Sequence, residues 1–255
     1  MKQTLIIVTV LSCSLFLCSR SEAGVGLDFR YCFVDFNSQI RADTAGTNGT
    51  NIELQNDLGV DDNEHLPEFD LYLSGRTHSL HLGYSWFEMK GESTVNQNIV
   101  FNGKTFPAAT RVGTDIDTHW VKAFYGYNFH KSRTSFSTSL LGVQYFDIKT
   151  SIEGDGVGST TEHIRAPVPS AGIKVYKSVF RSMEFRGYVT GFRWNLGDTD
   201  ATLIDAWGGL AYNFNRSTAL FGGYRFFMAE IEVNGSDNKI ETMFRGPCVG
   251  ISLRY

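Results

Sequence analysis

The chain has 255 residues, of which 42% are hydrophobic and 14% are aromatic. Its net charge of -4 and its pI of about 5.9 argue against a nucleic-acid binder, because such proteins carry a clustered basic face. Its mean hydropathy of -0.16 would suit a soluble protein, but a membrane β-barrel exposes only alternate side chains to lipid and has a similar mean.

The amino terminus has the pattern of an export signal. Lys2 supplies a short positive region, an apolar run follows over 5–18, and Ser21 and Ala23 are the small residues that a signal peptidase reads. The apolar run is shorter than the ~20 residues that a membrane-spanning helix needs, which disfavours the alternative of a membrane anchor. We therefore expect residues 1–23 to be a cleaved signal peptide and residues 24–255 to form one exported barrel domain.

The mature chain alternates apolar and polar residues in runs that are separated by turn-like breaks. Short breaks alternate with longer polar stretches, an asymmetry typical of the periplasmic turns and extracellular loops of membrane barrels. The runs predict strands near 25–36, 67–75, 78–90, 111–129, 134–152, 166–179, 183–195, 202–214, 217–233 and 240–255. The long loops are predicted at 37–68, 91–111, 153–165, 195–202 and 234–239.

This pattern predicts an all-β fold, a transmembrane antiparallel up-and-down β-barrel in a bacterial outer membrane. About ten strands are expected, with counts of eight or twelve left open, and both termini are expected in the periplasm of a Gram-negative cell. A soluble β-sandwich or a lipocalin-like barrel is the alternative. It would bury the apolar faces instead of exposing them to lipid.

Alternation in the first and last runs assigns the two faces of the wall. Every second residue from Val25 to Phe33 is large and apolar, and the residues between them, such as Asp28 and Arg30, are small or polar. The final run to Tyr255 alternates in the same way. The same parity along the chain predicts a set of charged side chains that face the lumen: Asp28, Arg30, Asp70, Lys122, Lys174, Asp205, Arg225 and Arg254. In a narrow barrel these opposite charges are expected to pair and to fill the interior.

Two cysteines remain after the predicted cleavage, Cys32 in the first strand and Cys248 in the last. These strands pair when a barrel closes, and both cysteines fall on the lumen face at similar height. A structural disulfide across the closure is therefore one interpretation in the oxidising periplasm, and two unpaired buried cysteines are the other.

One candidate for catalysis lies near the predicted extracellular rim. Asp115, Asp117 and His119 share one face of a strand, and carboxylates beside an imidazole can activate water, as in barrel proteases of the omptin type. If Lys122 faces the lumen, however, these three residues face outward and line no cleft. A solvated rim is then the simpler interpretation. No metal or other cofactor is expected.

Several motifs resemble those of a family of bacterial outer-membrane β-barrel proteins that have no assigned activity. The segments that carry the resemblance are 56–62, 79–84, 99–106, 124–129 and 246–255. The resemblance covers most of the mature chain and implies a surface-facing barrel embedded in outer-membrane lipid, with no catalytic residues to carry over. It also implies that Tyr255 is the terminal aromatic signal read by the barrel-assembly machinery.

Three functions are compatible with these observations. The leading hypothesis is a non-enzymatic barrel whose loops bind or shield at the cell surface, with at most narrow, porin-like passage of small solutes. A hydrolase at the rim, acting on protein or lipid, is the first alternative, and a small-solute channel is the second. The sequence does not identify an extracellular ligand.

Overall fold

The computed structural model describes residues 24–41, 50–132, 134–196, 199–233 and 238–255. The predicted signal peptide lies outside these residues. The strands are β1 (Gly24–Arg41), β2 (Ile52–Glu53), β3 (Asn63–Ser74), β4 (His78–Thr94), β5 (Ile99–Phe101), β6 (Lys104–Phe106), β7 (Arg111–Lys131), β8 (Ser135–Gly154), β9 (Gly158–Ser178), β10 (Met183–Leu196), β11 (Thr199–Asn213), β12 (Thr218–Val233) and β13 (Asn238–Arg254). One short helix, α1 (Leu54–Leu58), follows β2.

Ten of these strands form a closed antiparallel barrel. Neighbours in sequence pair in the order β1, β3, β4, β7, β8, β9, β10, β11, β12 and β13, and β13 pairs back with β1. β2 lies outside this ring against β1, and β5 and β6 form a separate hairpin. The predicted fold class and the count of ten strands are confirmed. No helix among the described residues is long and apolar enough to cross a bilayer.

The predictions of long loops at 153–165 and at 195–202 were wrong. In the second case β10 extends to Leu196 and β11 begins at Thr199, and these two residues pair. The first case shows the reason. β8 runs to Gly154 and β9 begins at Gly158, so only a tight turn separates them, closed by the Val157 amide donating to the Gly154 carbonyl at 3.0 Å. Gly156 and Gly158 adopt positive φ values of 74° and 86° in this turn. The segment is polar on both faces, so alternation gave no strand signal there. A strand that extends beyond the lipid needs no apolar face.

The outer wall carries a belt of exposed apolar side chains. Its members include Leu27, Phe33, Phe69, Leu80, Trp86, Val121, Leu141, Val143, Ile173, Val189, Leu220, Tyr224, Val249 and Ile251. Along β1 the exposed and buried positions alternate with the predicted parity. Such a continuous apolar surface is the reverse of that of a soluble barrel, and it is the surface that hydrocarbon solvates.

The two ends of the barrel differ. At one end, here called the turn end, four short connections join the strands, and the Val25 amide donates to the Tyr255 carbonyl at 3.0 Å. At the other, here called the loop end, the two long connections, from β1 to β3 and from β4 to β7, fold back onto the wall. Leu54 and Leu58 of α1 are buried there, and Phe101 and Phe106 of the β5–β6 hairpin are buried as well. The loop end is therefore covered by packed structure and not only by solvated loops.

The wall is interrupted at two places toward the loop end. The β3–β4 ladder stops at the pair Glu68–Ser85, although β4 continues to Thr94. The β9–β10 ladder stops at the pair Ala171–Gly191, although β9 extends back to Gly158. The strands at both places continue to pair with their other neighbours. These two interruptions are called the β3–β4 seam and the β9–β10 seam below.

Candidate functional site: the divided lumen

The lumen contains a buried cluster of charges at mid-height. Glu68 is at its centre, 0% exposed, and accepts from Arg30 Nη1 at 3.2 Å, from Lys122 Nζ at 2.5 Å and from Arg225 Nη1. Asp205, also 0% exposed, binds Arg225 through two parallel hydrogen bonds of 3.1 Å to Nε and Nη2. These five residues are called the septum.

The septum is close to electrically balanced. Its three cations face the carboxylates of Glu68 and Asp205, and Asp70 adds a third carboxylate 3.4 Å from Arg30 Nη2. Charges this deeply buried are tolerated only when each has a partner, because desolvation of an ion costs several kcal/mol. The Tyr188 hydroxyl donates to Asp205 Oδ2 at 3.3 Å and extends the network.

Aromatic rings flank the charges. The Arg225 guanidinium lies 4.8 Å from the Trp120 ring centroid, and Lys122 Nζ lies 4.6 Å from the same ring. The Arg30 guanidinium lies 4.7 Å from the ring centroid of Trp207. Cation–π contacts of this kind are strongest where water is excluded. The Trp120 indole also donates to Gln144 Oε1 at 3.0 Å, which fixes the ring in place.

The septum separates two cavities of opposite character. The turn-side cavity, about 430 Å³, is lined by charged residues that include Asp28, Lys174 and Arg254. The loop-side cavity, about 120 Å³, is called the upper chamber and is lined by carbon-rich side chains such as Trp120 and Phe227. An apolar chamber is unusual here, since the interiors of membrane barrels are generally polar.

All eight charged residues predicted for the lumen lie on its inner face. Arg30, Lys122, Asp205 and Arg225 meet in the septum, whereas Asp28, Asp70, Lys174 and Arg254 line the turn-side cavity. Lys174 Nζ lies 5.0 Å from the Tyr72 ring centroid.

Sequence reasoning missed three charged residues of the lumen. Glu68 is the hub of the septum, and Glu184 pairs with Arg186 and Arg254 near the turn end. Glu184 also accepts from the Tyr176 hydroxyl at 2.6 Å. Glu68 shares the inward parity of Asp70, which was predicted, and Glu184 and Arg186 share one parity within β10. Applying the parity to every position would have found them.

Cys32 and Cys248 are joined by a disulfide in the structure. They are opposed in the β1–β13 ladder, with a Cα–Cα distance of 4.0 Å and an S–S distance of 2.02 Å. Both side chains are buried in the wall near the septum. The bond therefore links the first and last strands of the barrel at the closure.

The rim residues are on the outer surface. Asp115, Asp117 and His119 alternate with buried residues of β7 and line neither of the two lumen cavities. His119 Nδ1 is 2.9 Å from the Tyr84 hydroxyl, and Asp115 is 3.8 Å from Lys90 Nζ. No cleft forms between these groups to confine a substrate.

A closed antiparallel barrel of ten strands with an apolar outer belt defines the class, that of bacterial outer-membrane β-barrel proteins. No family model matches the chain, and no curated protein matches it. Among solved structures it is similar to the outer membrane protease OmpT from Escherichia coli, with a TM-score of 0.58 at 8% identity over 91% of this chain and 97% of that one. The translocator domain of the autotransporter NalP from Neisseria meningitidis gives a TM-score of 0.45 at 13% identity, covering 99% and 95% of the two chains. At 8% identity, the likeness to OmpT shows the fold alone.

Proposed function

We propose that this outer-membrane barrel is non-enzymatic and non-conducting, and that it acts by binding at its loop end. In membrane barrels the short turns lie in the periplasm and the longer connections lie outside the cell. The loop end is accordingly assigned to the cell surface, and the turn end, with both chain termini, to the periplasm. Outer-membrane lipid surrounds the belt, and the barrel-assembly machinery reads Tyr255 during insertion.

The septum is the observation that carries this proposal. Conduction requires a continuous polar path, but Glu68, Asp205 and Arg225, each 0% exposed, fill the lumen between its two cavities. Opening it would separate hydrogen-bonded ion pairs in a region of low dielectric constant, which is far more expensive than moving ions in water. The small-solute channel is therefore disfavoured.

The hydrolase alternative is disfavoured by geometry. A general base must come within hydrogen-bond reach of a bound substrate or its attacking water, and catalysis depends on holding the reactants in place. Asp117 and His119 project from a convex outer wall, and His119 is engaged with Tyr84. The loop end instead carries folded segments, α1 and the β5–β6 hairpin, and the apolar upper chamber lies on the same side of the septum.

Planar-bilayer recording tests the proposal. The purified barrel, with insertion verified by its heat-dependent gel mobility, is expected to give no discrete conductance steps at moderate voltage. A narrow open pore would give regular steps whose size scales with salt concentration. Such steps in the wild-type protein would contradict the proposal and would favour the channel.

A further inference from the structure

The β9–β10 seam leads through the wall toward the upper chamber. Beyond the pair Ala171–Gly191 the described residues contain no ladder pair between 158–170 of β9 and 192–196 of β10. Ile164, Ala166 and Val168 of β9 and Phe192 of β10 flank the seam, and all four line the upper chamber. The chamber and the seam are therefore contiguous.

Two prolines explain why the ladder stops. Pro167 and Pro169 face Tyr145 and Val143 in a β8–β9 ladder that continues through both positions. Because a proline nitrogen cannot donate, an unbroken ladder on the β8 side requires both nitrogens to lie on the β10 side. The edge of β9 that faces β10 thus lacks two backbone donors immediately beyond the last β9–β10 pair. The interruption of the ladder is therefore encoded in the sequence of β9.

Two carbonyl groups of β9 confirm that this edge faces away from β8. Ser159 and Thr161 have the same parity as the prolines, and their carbonyls accept from Lys104 Nζ at 3.1 Å and from Asn102 Nδ2 at 3.3 Å. The β5–β6 hairpin therefore holds the outermost part of the edge. The stretch 163–170 lies between this hairpin and the last ladder pair. The interruption is therefore in the side of the barrel and not at its loop end.

The height of this stretch places its lower part next to lipid. Pro169 is opposite Val143, which is 43% exposed in the apolar belt, and Ala171 is opposite Leu141, which is 66% exposed. Farther toward the loop end Arg165 pairs with Asp147 at 3.3 Å, which marks the polar region. The seam thus begins within the belt and ends at the polar boundary.

The chamber itself suits an apolar occupant. Trp120, Phe244 and Phe227 line it toward the septum, which closes the route to the turn side. A cavity of about 120 Å³ is of the order of size that accepts a single hydrocarbon ring. Hydroxyl groups of one serine and four threonines also line it, but most of its surface is carbon.

We propose that the upper chamber binds an uncharged hydrocarbon group that enters sideways from the membrane through the β9–β10 seam. This proposal rests on the binding role proposed above and adds the class of ligand and its route. The occupant is an alkyl chain or an apolar ring. Its source is either a lipid acyl chain of the surrounding leaflet or a small molecule dissolved in that leaflet.

Fluorescence quenching of Trp120 tests the proposal in vesicles. The barrel carries Trp86→Phe and Trp194→Phe, and subtracting the emission of the same barrel with Trp120→Phe isolates Trp120. We expect 1-bromohexane to quench Trp120 saturably, and Ala229→Phe, which fills the chamber, to abolish this quenching. Absence of saturable quenching, or quenching that Ala229→Phe leaves unchanged, would overturn the proposal.

A proline variant tests the route. Pro167→Val with Pro169→Val restores two donors and is expected to slow the onset of Trp120 quenching several-fold. Pro247→Val is the matched control, because the β1–β13 ladder resumes beyond that proline. Ala166→Phe narrows the seam without altering the ladder and replaces the proline variant if that variant does not fold. Unchanged kinetics in a folded seam variant would overturn lateral entry.

The two sources are separated by a second probe. Phosphatidylcholine vesicles with brominated acyl chains are expected to quench Trp120 if a lipid chain occupies the chamber, whereas quenching by 1-bromohexane alone identifies a dissolved molecule. The bilayer recordings are independent of these results. Conductance steps would refute the non-conducting barrel, and failure of quenching would refute only the chamber.

Discussion

Arg225 and Phe227 are neighbours on the inner face of β12, yet they belong to two halves of the lumen that are held together differently. Arg225 lies among paired charges of the septum and is 0% exposed, whereas Phe227 packs against the rings of Trp120 and Phe244 and is 3% exposed. The charged half depends on every ion keeping its partner. The apolar half depends on filled volume, which tolerates substitution better.

The largest effect is expected from removing the central cation. Arg225→Met keeps much of the side-chain volume but leaves Glu68 and Asp205 buried with too little positive charge. We expect the free energy of unfolding to fall by about 3–5 kcal/mol, measured by urea titration of the barrel in lipid vesicles.

Arg245→Met is the matched control for that measurement. Arg245 lies 3.8 Å from Asp35 on the surface, with 55% and 60% of the two side chains exposed, so its loss should cost less than about 1 kcal/mol. Equal losses for the two variants would show that the septum has no special role in stability.

The disulfide sits near the boundary between the two halves, and its removal is expected to have the next largest effect. Replacing Cys32 and Cys248 together by alanine should lower the free energy of unfolding by about 2–4 kcal/mol, because the bond closes a chain segment of 216 residues in the unfolded state. Reductant should reproduce the loss in the wild type and have no effect on the double variant. If reductant leaves the free energy of unfolding of the wild type unchanged, the prediction is contradicted.

The apolar half should respond more weakly than the septum. Phe227→Leu removes part of a ring contact without stranding any polar group, and we expect a loss of about 1–2 kcal/mol in the same titration. Since Phe227 and Arg225 are on one face of one strand, the pair compares the two halves directly. A loss as large as that of Arg225→Met would remove the distinction between them.

The smallest effect is expected at the rim. Asp117→Ala and His119→Ala alter exposed outer side chains and should change the free energy of unfolding by less than about 0.5 kcal/mol each. Neither variant should alter heat-dependent gel mobility. A protease or lipase activity present in the wild type and abolished in these variants would instead support the hydrolase.

The two seams show a similar contrast in how the wall is completed. Both ladders stop beside a proline, Pro67 in β3 and Pro169 in β9. At the β3–β4 seam the segment after α1 fills the interruption, and Val60 forms an isolated bridge with Gly91. At the β9–β10 seam the β5–β6 hairpin reaches only the outermost edge of β9. Prolines therefore set where pairing ends, and the loops decide which interruption is covered.

The sequence by itself determined the ten strands, their two faces and the charged character of the lumen. It could do so because lipid outside and a polar interior impose a two-residue period on every strand, and this period is visible one strand at a time. It failed at 153–165 and at 195–202, where strands continue through polar segments that have no apolar face.

Only the tertiary structure decided how the lumen is divided. Glu68 meets Arg225 across 157 residues of chain and Arg30 across 38, and no local pattern shows which charges share a height. The stagger between strands sets those meetings when the barrel closes. The same closure collects aromatic rings above the septum. It also leaves residues 163–170 of β9 without a ladder pair to the described residues of β10. The upper chamber and the β9–β10 seam therefore exist only in the assembled barrel.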